Sequence, residues 1–459
     1  MKLGVVILAA GQGTRMRSAL PKVLHPLADR PLLAHVLDTA YRLRADRVCV
    51  VFGHGGERVR DAMSGYDCDW ALQEEQHGTG HAVVQAMPAM ADMDRVLVVY
   101  GDVPLIRPET LQRLVEVTAG TDLGVLSVAL NEPSGYGRVV RSPDGRVTRI
   151  VEQKDATAQE LEIREINTGF LVADRVRLDE WLSRLDNRNA QGEYYLTDII
   201  GLAVSDGVIV ASTQPDTVEE VSGVNDRVQL SILERHYQRQ QAESLMRSGV
   251  TLRDPNRFDI RGRLHAARDV TIDVNAIIEG EVRLAEGVSI GPNCYLRDCE
   301  IGAGTQVFAN SVIDGATVGE DVLVGPFARL RPEAVLCDRV HVGNFVEIKK
   351  SRVGEGSKVN HLSYVGDARV GGGVNVGAGT ITCNYDGANK HLTEIGDDAF
   401  IGSNTALVAP VGIGEGATIG AGSVITRPAP ARKLTVARGR QTTIENWERP
   451  KRKPRPASD

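Results

Sequence analysis

Up to residue 226, short β-branched runs alternate with amphipathic segments. Val5–Leu8, Val48–Phe52, Val96–Tyr100 and Leu123–Val128 read as strands, and the stretches beginning at Pro31, His77 and Pro108 read as helices. That alternation predicts an α/β layer, a mostly parallel Rossmann-like sheet with helices on both faces, whose ligands bind beyond the carboxyl ends of the strands. From Arg227 to Ser248 the chain has no Gly or Pro and sets Val228, Leu230, Ile232 and Leu233 among charges, which predicts one long helix.

Beyond that helix a six-residue period takes over. Ile272, Ile278, Leu284, Ile290 and Leu296 are six apart, as are Ile301, Val307 and Ile313, then Val318, Val324, Leu330, Leu336, Val342 and Ile348. The count resumes at Val353, Val359 and Val365, again at Val370 and Val376, and runs from Ile395 through Ile401, Leu407, Ile413 and Ile419 to Ile425. This period is the signature of a parallel β-helix: each hexad makes a short strand and a turn, three close a coil, and the aliphatic side chain stacks inward on its equivalents. The phase slips by one residue after Leu296, Ile313, Ile348 and Val365. Glycine often follows the inward residue, as at Gly291, Gly302, Gly343 and Gly354, and is expected to relieve strain at the turn. The period breaks between Val376 and Ile395, so TCNYDGANKHLTE is expected to form a loop thrown out of the coil. The expected organisation is a nucleotide-binding domain over 1–226, a linker helix over 227–248, a β-helix over 249–437 and a tail over 438–459.

Composition narrows the function. A chain of 459 residues has room for two cores, and therefore two activities. A net charge of −7 with 4% aromatic residues argues against a nucleic-acid surface and favours small-molecule substrates. The six cysteines form no CxxC pair, which argues against a disulfide framework or a cysteine zinc site. The opening MKLGVVILAAGQG has an apolar run too short for a membrane span and no cleavage pattern, so a cytoplasmic protein with no membrane partner is expected. The basic, Pro-rich ERPKRKPRPASD reads as a solvated end.

The chemistry begins in LAAGQGTRMRSALPKVL. Gly11 and Gly13 let the chain turn after the first strand and bring backbone N–H groups to phosphates, while Arg15 and Lys22 supply positive charge. With Met16 in the sixth position the motif is not a dinucleotide fingerprint, and no Gly-Lys-Ser/Thr makes it a Walker loop. After the strand Val96–Tyr100, the Gly101-Asp102-Val103-Pro104 turn places a carboxylate where Mg²⁺ could bridge phosphate oxygens. Gln73 with Gly78, Thr79 and Gly80 suits a base edge or a sugar.

These phrases, followed in order by GYGRVV, VEQKDA, INTGF, GEYYLTDII and GVNDR, resemble the sugar-nucleotide pyrophosphorylases. With the hexad domain, the resemblance extends from about residue 3 to about residue 440 and is to the bifunctional members, which acetylate glucosamine 1-phosphate and then uridylylate N-acetylglucosamine 1-phosphate. It implies that Leu8, Ala9, Gly11, Gln73, Gly78 and Thr79 hold uridine, that Tyr100, Gly101, Asp102, Gly137, Glu152, Asn167 and Asn225 complete the substrate site, that Asp102 and Asn225 hold Mg²⁺, and that Arg15 and Lys22 act on the phosphates.

On the hexads, Arg331, Glu347, Lys349, His361, Tyr364, Asn375, Asn384, Tyr385 and Lys390 break the repeat's logic. Arg331 and Lys349 could bind a sugar phosphate, and an imidazole could take a proton from an amine attacking a thioester. NHLSYVGDARVGGGVNVGAGTITCNYDG resembles the acetyltransferase site of the same family. The resemblance implies His361 as general base; Glu347 is a candidate to orient or polarise it. Arg331, Lys349, Tyr364 and Asn375 would bind glucosamine 1-phosphate, and Ala378, Asn384, Tyr385, Ser403, Ala421 and Arg438 acetyl-CoA. It further implies left-handed coils and a homotrimer with the acetyl site between subunits. Two rivals stand beside this: a single-activity sugar-1-phosphate nucleotidyltransferase whose β-helix only oligomerises or regulates, and a scaffold of two inactive domains.

Overall fold

The computed structural model describes residues 1–450 except Gln12, His54 and Gly55. The chain forms two compact units, Met1–Glu243 and Ser244–Asp459. In the first, the strands Leu3–Leu8, Arg47–Gly53, Asp69–Gln73 and Arg95–Tyr100 run parallel, with Leu3–Leu8 between Arg95–Tyr100 and Arg47–Gly53. Glu165–Asp174 runs antiparallel to both Arg95–Tyr100 and Leu123–Ala129 and so reverses the sheet on one side.

Every residue of Leu3–Leu8 is buried, because alternate side chains enter two different cores. Val5 and Ile7 pack with Leu33 and Leu37 of the helix Leu32–Arg42. Val6 and Leu8 pack with Ala82, Val83 and Ala86 of the helix Thr79–Ala86 and with Trp181. The carboxyl end of this strand thus opens between two covered faces, where the glycine loop begins. The helix after the sheet spans Arg227–Arg247.

The second unit is a left-handed parallel β-helix. One face is a sheet of 11 strands; the other two merge into a sheet of 17 in which each strand also pairs with its equivalent a coil away. The hexad residues point inward, with Ile278, Leu296, Ile313, Leu330, Ile348, Val359, Ile401 and Ile419 all fully buried. Each such burial contributes about 1.5–3 kcal/mol. A second inward row lies two residues earlier, at Val270, Cys294, Thr305, Ser311, Ala334, Ser357 and Ser423, where the corner leaves room only for small side chains. Its hydroxyls bond the backbone: Thr305 Oγ1 donates to the Gly319 carbonyl at 2.8 Å and accepts from Val322 N at 3.0 Å.

The structure corrects two details of the repeat. First, apart from Gly325 at φ 101°, the glycines that directly follow the inward residues are not the strained ones. Left-handed backbone falls three residues after the inward position, at Asn293, Gly304, Asn310, Asp321, Phe327 and Phe345, or two residues after it where the period shortens to five, at Asp298, Gly315, Lys350 and Asp367. Gly343 is instead required by close approach, since a Cβ there would overlap the Asn360 carbonyl of the next coil. Second, the period does not break after Val376. Thr382 occupies the next inward slot, buried between the positions of Val365 and Leu407, with its hydroxyl accepting from Gly366 N at 2.8 Å and donating to Gly366 O at 3.0 Å. The excursion is therefore limited to residues 384–392, pinned by an antiparallel bridge between Tyr385 and Lys390.

Candidate active sites

Gly13 takes φ 61°, and a Cβ on it would lie 2.6 Å from Lys22 Cβ. This glycine lets the loop fold back onto the lysine, while Gly11 has open space around it and leaves backbone accessible. Lys22 is turned toward the strand ends, where its ammonium pairs with Asp102 and lies 3.4 Å from Asn225 Oδ1. Arg15 donates to the same amide oxygen at 2.9 Å. Four residues from three separate stretches of the chain thus meet at one point, beside a cavity of about 400 Å³ lined by Leu8, Ala9, Gly11, Gln73, Thr79 and Asn225 among others.

The far wall of this cavity is fixed by the Gly78 turn. Gln73 is buried and its Nε2 donates to the Gly78 carbonyl at 3.1 Å, while Thr79 Oγ1 accepts from Leu196 N at 3.1 Å. Gln76 and Glu193 also line the cavity, and Gln76 donates to the Ala10 carbonyl. Neither stood out in the sequence, because single polar residues in a loop carry no periodicity.

A second cluster adjoins through Tyr100. Gly169 has φ 89°, and a Cβ there would overlap the Tyr100 ring. Asn167 N donates to the Gly137 carbonyl at 2.9 Å, and Gly137 packs against the Glu152 carboxylate, which accepts from Thr197 Oγ1 at 3.0 Å. Burial raises the Glu152 pKa, and burial followed by the charges of Glu152, Asp186 and Asp155 lifts Asp198 to about 6. Half-buried carboxylate and amide oxygens, as on Glu152 and Asn167, suit sugar hydroxyls.

Asp102 and Asn225 present a carboxylate and an amide oxygen around one cation, the Lys22 ammonium. Two hard oxygens on one positive charge fit Mg²⁺, whose remaining positions are ordinarily filled by water and substrate phosphates. Among the described residues, no group of three or more His, Cys, Asp or Glu side chains could hold a metal by itself.

On the β-helix the predicted residues fall into columns. Asn344, His361, Ala378, Ser403 and Ala421 each lie two residues after an inward side chain, on successive coils of the 11-stranded face. Asn404 N donates to Ala378 O at 2.7 Å, Gly422 N to Ser403 O at 2.8 Å, and Arg438 Nη1 to Ala421 O at 2.8 Å, so the column is continuous to Arg438. Arg331, Glu347, Lys349 and Tyr364 stand on the adjoining face.

Glu347 does not orient His361. It accepts from Arg331 Nη1 at 2.9 Å, because it sits beside that guanidinium on the neighbouring coil and not in the histidine's column. The group on His361 is Asn344, whose Oδ1 lies 2.8 Å from Nδ1. Its position two residues after Val342, matching His361 after Val359, was a signal available in the repeat.

Lys349 lies close enough to Lys390 for its ammonium to push the Lys390 pKa below the ordinary lysine value. Two adjacent ammonium groups beside the Arg331 coil make a receptor for an anion. Asn384 donates to Asp367 and approaches Tyr364 OH at 3.4 Å. Tyr385 stays apart, exposed at the excursion's tip with its hydroxyl on Gly387 O at 2.6 Å. Asn375 lies in the row of Lys358 and Phe400 on the 11-stranded face, whereas Glu347 belongs to the adjoining sheet.

Comparison with known proteins agrees with this division. Residues 5–154 match the MobA-like NTP transferase domain, residues 260–361 the GMPPB C-terminal domain, and residues 392–427 the bacterial transferase hexapeptide repeats. The chain is 59% identical to the bifunctional protein GlmU of Alkalilimnicola ehrlichii, covering 98% of this chain and 97% of that protein. It is 58% identical to GlmU of Aromatoleum aromaticum over 98% and 99% of the two chains, and 57% identical to GlmU of Idiomarina loihiensis over 99% of each. With a nucleotide-type cavity on one unit, a hexapeptide coil in the other and this identity along nearly the whole length, the chain belongs to the bifunctional GlmU family.

Proposed function

We propose that residues 1–226 transfer UMP from UTP to N-acetylglucosamine 1-phosphate and that residues 249–437 make that sugar phosphate by acetylating glucosamine 1-phosphate, with 227–248 as linker and 438–459 as tail. The observation that carries the first reading is the meeting of Arg15, Lys22, Asp102 and Asn225 beside the cavity. The sugar phosphate is already an anion, so it attacks the α-phosphorus of UTP in line with no general base. The bond from that phosphorus to the bridging oxygen breaks, and pyrophosphate leaves with the electron pair. Arg15 and Lys22 neutralise the charge and hold the reactants in line. Asp102 and Asn225 would hold Mg²⁺, which neutralises phosphate charge when bound. Gln73, Gly78 and Thr79 hold the base, and Gly137, Glu152 and Asn167 the sugar.

In the acetyl site the phosphate lies against Arg331, Lys349 and Lys390. His361 takes a proton from the amine as its nitrogen attacks the thioester carbonyl; the amide bond forms, the C–S bond breaks, and the sulfur leaves as thiolate. Ala378, Ser403 and Ala421 leave the column above His361 shallow, which suits the arm of acetyl-CoA, with Arg438 at its end and Asn384 and Tyr385 at its edge. A homotrimer is supported by an exposed apolar ridge at one corner of the coils, where Phe327 and Phe345 stack at 5.2 Å and are 49% and 55% exposed, with Leu362 beyond them. No helix among the described residues is long and apolar enough to cross a membrane, and a cytoplasmic enzyme is proposed.

The test gives wild type, Arg15→Ala and His361→Ala each glucosamine 1-phosphate, acetyl-CoA, UTP and Mg²⁺, and follows free thiol and pyrophosphate separately. His361→Ala is expected to lose thiol release yet make pyrophosphate from supplied N-acetylglucosamine 1-phosphate, and Arg15→Ala to do the reverse. If wild type releases no thiol with any amino-sugar phosphate, the β-helix is structural and the single-activity reading replaces this one.

A further inference from the structure

The strands His341–Asn344 and Lys358–His361 lie on successive coils and pair in parallel, with Asn344 opposite His361. Both side chains stand two residues beyond a fully buried valine, Val342 and Val359, so the backbone ladder sets their separation. Asn344 Oδ1 lies 2.8 Å from His361 Nδ1. An amide oxygen only accepts, so the proton of a neutral imidazole must sit on Nδ1 and the lone pair on Nε2.

We propose that Asn344 is a positioning residue for acetyl transfer: it holds the His361 imidazole in the Nδ1–H form and aims an unprotonated Nε2 at the substrate amine. The inference rests on the reading of His361 as general base. Nε2 takes the amine proton while the amide bond forms and the C–S bond breaks, and the imidazolium returns that proton to the departing thiolate. Through the cycle Nδ1–H stays on Asn344.

The neighbouring charges explain why an amide is used here. His341 shares a strand with Asn344, and Lys358 shares one with His361. Burial, then Lys358 and His361, push the His341 pKa down and favour its neutral form, which leaves Lys358 as the cationic neighbour. The Glu347 carboxylate, on the adjoining face, is committed to Arg331. A neutral acceptor fixes the tautomer without placing beside the imidazole the negative charge that a carboxylate would bring.

Asn344→Leu, Asn344→Asp and His361→Ala, as full-length proteins, would be assayed for thiol release across pH. Pyrophosphate formation from N-acetylglucosamine 1-phosphate serves as the control for an intact first unit. Asn344→Leu is expected to lower kcat roughly 10–100-fold, the usual scale for losing a group that orients a functional histidine, with KM for both substrates nearly unchanged. Asn344→Asp is expected to recover most of that kcat while moving the acidic limb of kcat/KM to higher pH. The assignment fails if Asn344→Leu keeps wild-type kcat, if its loss lies in KM alone, or if Asn344→Asp is as impaired as the leucine variant with its acidic limb unmoved. Should the leucine variant misfold the coil, the position of the aspartate variant's limb still decides. Acetyl transfer surviving in His361→Ala would overturn the general-base reading itself, and this inference with it.

Discussion

Arg15 and Lys22 share one acceptor, the Asn225 amide oxygen, from opposite ends of a loop only eight residues long. Their charge is placed before any substrate arrives, which is the condition under which electrostatic stabilisation of a phosphoryl transition state is largest. Arg15→Ala is expected to lower kcat for UMP transfer by roughly 10²–10³-fold while leaving thiol release unchanged, as steady-state rates of the two half-reactions would show. Asp198 offers a test of a different kind. Its folded pKa of about 6 stands above the unfolded value of about 3.9, so the folded state favours the protonated form. The stability it contributes is complete below about pH 4 and is lost as pH rises through about 6. Because Asp198 is exposed, solvent screens most of this difference, and Asp198→Asn should unfold at only slightly higher urea than wild type above pH 6, with the two midpoints converging below about pH 4.

Each coil of the β-helix depends on two close fits that the hydrophobic period does not express. One is backbone on backbone, at glycines such as Gly343, where a methyl group would press into the Asn360 carbonyl. Gly343→Ala should destabilise by about 1–3 kcal/mol, the cost of overpacking, and reduce thiol release more than pyrophosphate release, because Asn344 and His361 flank the disturbed contact. Chemical denaturation of the variant gives the first quantity. The other fit is Thr382. By the hexad rule alone Thr382→Val fills an inward slot with a better aliphatic residue and should stabilise. In the structure the hydroxyl satisfies both the N–H and the carbonyl of Gly366, so the substitution is expected to cost about 1–3 kcal/mol. A rise in the denaturation midpoint would show that the hydrogen bonds carry no net stability.

The two sites draw on separate stretches of chain: residues 8–225 for one and residues 331–438 for the other. The residues assigned to each site belong to one unit, so a lesion in one is expected to leave the other intact. Mixing Arg15→Ala with His361→Ala is therefore expected to restore UDP-N-acetylglucosamine synthesis from glucosamine 1-phosphate. One variant makes the intermediate, and the other consumes it after release. Product measured by chromatography should rise after a lag that shortens as either variant is added. No product from the mixture would mean that the intermediate does not reach solution.

Much of this was legible in the linear order of residues, because the governing interactions are periodic or local. Burial of every sixth side chain is a one-dimensional rule, and it located the inward columns from Ile272 to Ile425. A glycine loop after an apolar strand, with Arg15, Lys22 and Asp102 close behind strand ends, is likewise a local statement about backbone and charge. What lay beyond reach depends on which atoms meet when distant segments stack. Glu347 and Asn344 are both polar and precede His361 by 14 and 17 residues, yet the coil geometry gives the nearer in number to Arg331 and the other to the imidazole. Thr382 reads as an interruption until the Gly366 backbone is placed against it. Asn225 is marked along the chain only by the resemblance of GVNDR, and its partners appear when Arg15 and Lys22 are brought to its oxygen. Period and composition specify which side chains leave water; the register of coil on coil and strand on strand specifies their partners, and the chemistry follows from the partners.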